Sequence, residues 1–124
     1  MRGKRQPPAT VLLVGDERDW PPELRAALDL AGYRAGVAED LSTVPSLLAH
    51  HSVRALFVLA RPLGASELLV LGEVRRKLPR TAIIVVTRTP TDPDLKRAFE
   101  SGATAFLSWP ASADSLRQAI EGVA

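Results

Sequence analysis

Apolar residues in this chain fall into five short solid runs, separated by stretches in which they recur every three or four positions. The runs are Thr10 to Val14, Tyr33 to Ala38, Ala55 to Leu59, Ala82 to Thr87 and Ala103 to Leu107. Each has the length of a strand. Ile83-Ile84-Val85-Val86 is β-branched throughout, which suits a pleated sheet. Gly36 weakens the second run, because glycine has no side chain to pack.

The intervening stretches have helical spacing. Leu24, Ala27, Leu28 and Ala31 stand at i, i+3, i+4 and i+7. Asp19-Trp20-Pro21-Pro22-Glu23 reads as their start, with an acidic cap and prolines in the first turn, and Gly32 reads as their stop. Ser42 is expected to cap a second helix carrying Val44, Leu47 and Leu48. Ser66 opens a third, with Leu68, Leu71, Val74 and Leu78 inward and Pro79 at its close. Asp92-Pro93 begins a fourth, with Leu95, Ala98 and Phe99, ending at Ser101-Gly102. Ser112 caps a fifth, with Leu116, Ala119, Ile120 and Val123 inward. Runs that are apolar on both faces and alternate with amphipathic helices predict a parallel sheet covered on both sides. The fold class is therefore α/β, a doubly wound, flavodoxin-like three-layer sandwich of five strands and five helices with right-handed crossovers. Residues 1–9, with Gln6-Pro7-Pro8, lack periodicity and are expected to be a flexible lead-in to one domain over residues 10–124.

Composition narrows the chemistry. The 124 residues suffice for one core, and 46% hydrophobic with 24% charged residues is the profile of a globular protein. The net charge of +2 comes largely from Arg2, Lys4 and Arg5, with no basic stripe of interleaved aromatics after them, so nucleic acid is not the expected partner of this domain. The absence of cysteine excludes disulfides, thiolate metal sites and cysteine nucleophiles. No apolar run approaches a membrane span and no apolar stretch follows the basic start, so a cytoplasmic location is expected.

In such a sheet, ligands and chemistry sit at the carboxyl ends of the strands. There this chain places Gly15-Asp16, then Ala60-Arg61-Pro62-Leu63-Gly64, then Thr87, then Ser108-Trp109-Pro110. With Glu100-Ser101-Gly102-Ala103 and Phe106-Leu107, these residues resemble the receiver (CheY-like) domain of bacterial response regulators, from about Thr10 to Val123. The resemblance implies a signalling domain in which a histidine kinase phosphorylates an aspartate at the end of the third strand. It also implies two acids after the first strand that hold Mg²⁺, a threonine or serine after the fourth strand that contacts the phosphoryl group, and a lysine before the proline of the fifth. Thr87 and Phe106 match the coupling pair, and Pro110 matches a family position with a cis peptide bond.

The chain departs from that pattern at most of these positions. Gly15 replaces the first acid and leaves Asp16 alone, Ala60 replaces the phosphoacceptor, and Trp109 replaces the lysine. A hard cation needs several oxygen ligands, the aspartate is the nucleophile, and the lysine neutralises developing charge. Glu67 is the nearest carboxylate, but a first-turn glutamate suits the helix dipole without a catalytic role. His50 and His51 end a helix, where positive charge is likewise favourable.

The expectation is a degenerate pseudo-receiver: no enzyme, no metal, no cofactor. Its protein partner would meet the face of helix four, strand five and helix five, and a homodimer is left open. Asp16 is expected to pair with Arg61 or Arg88; the alternative is that these arginines are solvated. Trp109 is expected to pack over Ala60, or else to anchor a partner. Trp20 is expected to act as a local staple. A small-ligand or anion sensor using the rim of Arg61 and Arg88 is the competing function.

Overall fold

The computed structural model describes residues 9–50, 53–59, 65–87 and 93–121. Strands β1 (Ala9–Val14), β2 (Tyr33–Ala38), β3 (Val53–Leu59), β4 (Ala82–Thr87) and β5 (Ala105–Ser108) form one parallel sheet in the order β2-β1-β3-β4-β5. Between and after them run α1 (Pro22–Leu30), α2 (Val44–His50), α3 (Ala65–Lys77), α4 (Pro93–Ser101) and α5 (Ala113–Glu121). This is the doubly wound α/β sandwich expected from the alternation of runs. β1 begins at Ala9, one residue before the expected boundary, and Val123 lies outside the described residues.

The solid apolar runs serve two cores. On one face Val11, Leu13, Phe57 and Ile84 meet Leu24 and Leu28 of α1 and Leu116 and Ile120 of α5. On the other Leu12, Leu56, Val58, Ile83 and Val85 meet Val44 of α2, Leu71 and Val74 of α3, and Ala98 of α4. Successive strand residues point to opposite faces, so a strand buried on both must be apolar at every position. Each fully buried leucine here contributes about 1.5–3 kcal/mol.

Several boundaries moved for identifiable reasons. β3 starts at Val53 rather than Ala55, and it carries a bulge: Thr10 pairs with Val53 but Val11 pairs with Ala55, so Arg54 has no partner residue across the strand. β5 starts at Ala105 rather than Ala103, because the Thr104 hydroxyl accepts the Ile83 N–H at 3.0 Å in place of a ladder carbonyl. Asp19 does not cap α1; the cap position is Pro21, with no side-chain hydrogen bond, after a short 3-10 turn over Glu17–Asp19. Before α2 it is Asp40 that accepts from the Ser42 N–H (2.9 Å) and hydroxyl, so Ser42 is the donor in that turn. Ser112 does cap α5, accepting the Ser115 N–H at 3.1 Å. Leu78, expected inward, is 38% exposed, as is Phe99 of α4. α3 and α4 approach closely at Gly102 (φ +133°), where a Cβ would lie 3.1 Å from the Arg75 Cβ and 3.2 Å from the Leu71 carbonyl.

Candidate functional site

The carboxyl ends of β1, β4 and β5 bring Gly15, Asp16, Thr87 and Trp109 to one end of the sheet. Gly15 follows β1 directly and donates its N–H to the Ala38 carbonyl at 2.7 Å, which ties the end of β1 to the end of β2. Its φ is +126°, a conformation that L side chains rarely adopt. Trp20 closes the turn beneath it. That indole is 3% exposed, packs in the core with Leu24 and Leu28, and lies with Nε1 3.9 Å from where a Cβ on Gly15 would stand. Nε1 is buried and has no hydrogen-bond partner among the described residues.

Asp16 is half-exposed and engaged by Arg18. The carboxylate accepts from the Arg18 backbone N–H (2.9 Å), Nε (3.1 Å) and Nη2 (2.8 Å). These hydrogen bonds, with the guanidinium charge, lower its pKa to about 2. The partner is thus a residue two positions along the same turn; Arg61 and Arg88, the expected partners, lie outside the described residues, as does Ala60. The i to i+2 spacing of Asp16 and Arg18 on a loop was the signal available in the sequence for this pair.

Thr87, 5% exposed, ends β4, and its carbonyl accepts the Trp109 N–H at 2.9 Å. The Trp109 ring is partly buried against the core shared with α1 and α5, and the Trp109–Pro110 peptide is cis. Phe106 is 46% exposed, and its ring meets that of Phe99 edge-on at 6.5 Å and 76°. Beside it a cleft of about 590 Å³ runs between β5 and α5, lined by Phe106, Ser108, Pro110, Ser115 and Ala119 among others.

Magnesium demands several oxygen ligands in near-octahedral array. Among the described residues no three acids or histidines gather to hold a metal, and Asp16 already serves Arg18. The described residues therefore do not make up a magnesium site.

Comparison with known proteins fixes the family. The model of the response regulator receiver domain matches residues 11–121. The chain is 25% identical over 111 residues to the photosynthetic apparatus regulatory protein RegA of Rhodobacter capsulatus, covering 90% of this chain and 60% of that protein. It thus spans about 60% of the length of this curated relative. Among solved structures, chemotaxis protein CheY4 of Vibrio cholerae is similar at TM-score 0.70 and 22% identity, over 94% of this chain and 98% of that one. The receiver domain of the sensor histidine kinase PA1611 of Pseudomonas aeruginosa, described with a magnesium ion in its active-site cleft, gives TM-score 0.73 at 19% identity, over 94% and 97%. NtrX of Brucella abortus gives 0.72 at 22%, over 94% of this chain and 28% of that one. The (βα)₅ sheet of the observed strand order, with the family match running from β1 through the last residue of α5, makes this chain a member of the response regulator receiver domain family.

Proposed function

We propose that this receiver domain signals without taking a phosphoryl group on aspartate, acting as a binding module rather than an enzyme. The observation that carries the reading is the residue set itself: glycine at position 15, alanine at position 60 and tryptophan at position 109. An alanine methyl has no group to phosphorylate, and a single carboxylate held by Arg18 is a poor magnesium ligand. The magnesium-bearing receiver domain of PA1611 is a relative in fold that marks the contrast. The test is incubation with acetyl phosphate, or with beryllofluoride and magnesium, followed by intact mass and tryptophan emission. No adduct, no change in emission and magnesium affinity weaker than about millimolar are expected; a stable adduct overturns the reading.

The partner is a protein, and its docking face is α4, β5 and α5, within one folded unit spanning residues 10–124 of a cytoplasmic signalling protein. Support comes from exposed Phe99 and Phe106 and the adjoining cleft, since exposed aromatics beside a concave surface suit a protein interface. With a captured partner in hand, Phe106→Ala is expected to weaken binding at least about tenfold, the cost of truncating an aromatic anchor. Sedimentation at rising concentration reads whether a second copy takes that face.

A further inference from the structure

The sheet ends at β5, which pairs with β4 alone among the described residues and leaves its other side open. Its backbone groups divide between those two sides. The Trp109 N–H donates to the Thr87 carbonyl of β4 at 2.9 Å, and alternate residues of a strand turn their N–H and C=O to the same side. Leu107 therefore faces β4, while Phe106 and Ser108 turn their N–H and C=O away from it. Burial agrees with this division: Leu107 is 3% exposed, Phe106 is 46% exposed, and Ser108 is exposed. The cleft of about 590 Å³ runs along the open side, lined by all four consecutive residues of β5 and, opposite them, by Ser115, Gln118 and Ala119 of α5. A single sheet face would present every second residue, so four in a row mark the strand's edge.

We propose, on the reading of α4, β5 and α5 as the docking face, that an extended, uncharged peptide segment of the partner protein adds to β5 as a further strand, hydrogen-bonded to Phe106 and Ser108. An extended chain supplies the alternating N–H and C=O groups that an open edge lacks. Every residue lining the cleft is uncharged, so a charged segment would lose hydration there without gaining a counter-charge. Natural edge strands are blunted by charge, proline or bulges. β2, at the other edge, carries exposed Arg34 and Gly36, whereas Ala105-Phe106-Leu107-Ser108 carries neither charge nor proline. The four residues of β5 set the length over which a segment can pair. Phe106, with the Phe99 ring beside it, offers an aromatic contact to the segment's side chains on that face.

The test is an amide NMR titration of the full chain with capped, uncharged hexapeptides that alternate threonine with valine, isoleucine, phenylalanine or tyrosine. Saturable shifts are expected, largest at the Phe106 and Ser108 amides and smaller at Leu107 and Trp109, whose N–H groups face β4. The tightest peptide is then N-methylated on one or the other alternate set of its amides. One form is expected to bind at least about tenfold more weakly and the other within about twofold of the parent. Ser108→Pro, which deletes an outward N–H and spares the ladder, is expected to weaken the parent peptide by a similar factor. Should that variant fail to fold, the methylated pair carries the comparison on the natural chain. Absence of saturation, shifts centred away from β5, or an equal effect of the two methylations overturns strand addition. So do Phe106 and Ser108 shifts that grow with protein concentration and that the peptides fail to reverse, because the occupant is then a second copy. The docking face itself stands or falls separately, by Phe106→Ala against a captured partner.

Discussion

Gly15 shows how a backbone conformation can restrict which side chain a strand end carries. An aspartate there would not meet a steric wall, since the nearest atom to its Cβ is Trp20 Nε1 at 3.9 Å. The obstacle is φ of +126°, a conformation that costs a non-glycine residue about 1–3 kcal/mol. Gly15→Asp is therefore expected to lower stability by that amount, seen as a lower urea midpoint with an unchanged slope. Asp16 is expected to report on acid. Its pKa is depressed to about 2 by Arg18, so its contribution to stability is fully present above the ordinary value of 3.8 and is lost as pH falls through about 2. Asp16→Asn is expected to remove that part of the acid dependence, with urea unfolding at pH 7, 4 and 2 as the measurement. At this scale the sequence made Asp16, Thr87 and Trp109 legible as strand-end residues. It did not reveal Arg18 as the partner, because a guanidinium two residues away and others on neighbouring loops compete for the carboxylate on reach alone.

Among the elements, the tie between β2 and α5 stands apart. Tyr33 and Glu121 are 88 positions apart, and their hydrogen bond holds the last turn of α5 onto the first residue of β2. Burial, followed by the hydrogen bond to Glu121, pushes the Tyr33 hydroxyl up to about 12. A raised folded pKa means stability fully present below the ordinary 10 and lost as pH rises toward 12. Tyr33→Phe is expected to cost about 1 kcal/mol at pH 7 and to flatten the alkaline limb, as read by thermal unfolding from pH 8 to 12. The elements themselves were legible from their periods, while their ends were not. Asp40 took the turn assigned to Ser42, and Thr104 displaced the start of β5, because side-chain hydroxyls and carboxylates compete locally with backbone partners.

For the whole molecule, one sheet carries two cores, one on each face. Leu116→Ala on the α5 side and Leu71→Ala on the α3 side are each expected to cost about 2–5 kcal/mol. Because the two sites share no partners, the double variant is expected to match the sum within about 0.5 kcal/mol, in a single transition by both fluorescence and circular dichroism. The alternation of solid apolar runs with helical spacing by itself determined the parallel sheet buried on both faces, since only that arrangement hides every position of runs such as Ala55 to Leu59. It also determined which functional groups residues 15, 60 and 109 carry, because these are written in a residue's identity. What only the tertiary structure decided were contacts between distant or competing groups: Arg18 on Asp16, Trp20 closing the turn under Gly15, and Glu121 of α5 on the Tyr33 hydroxyl of β2. Such meetings depend on strand register and helix ends, which place side chains in space without leaving a period in the sequence.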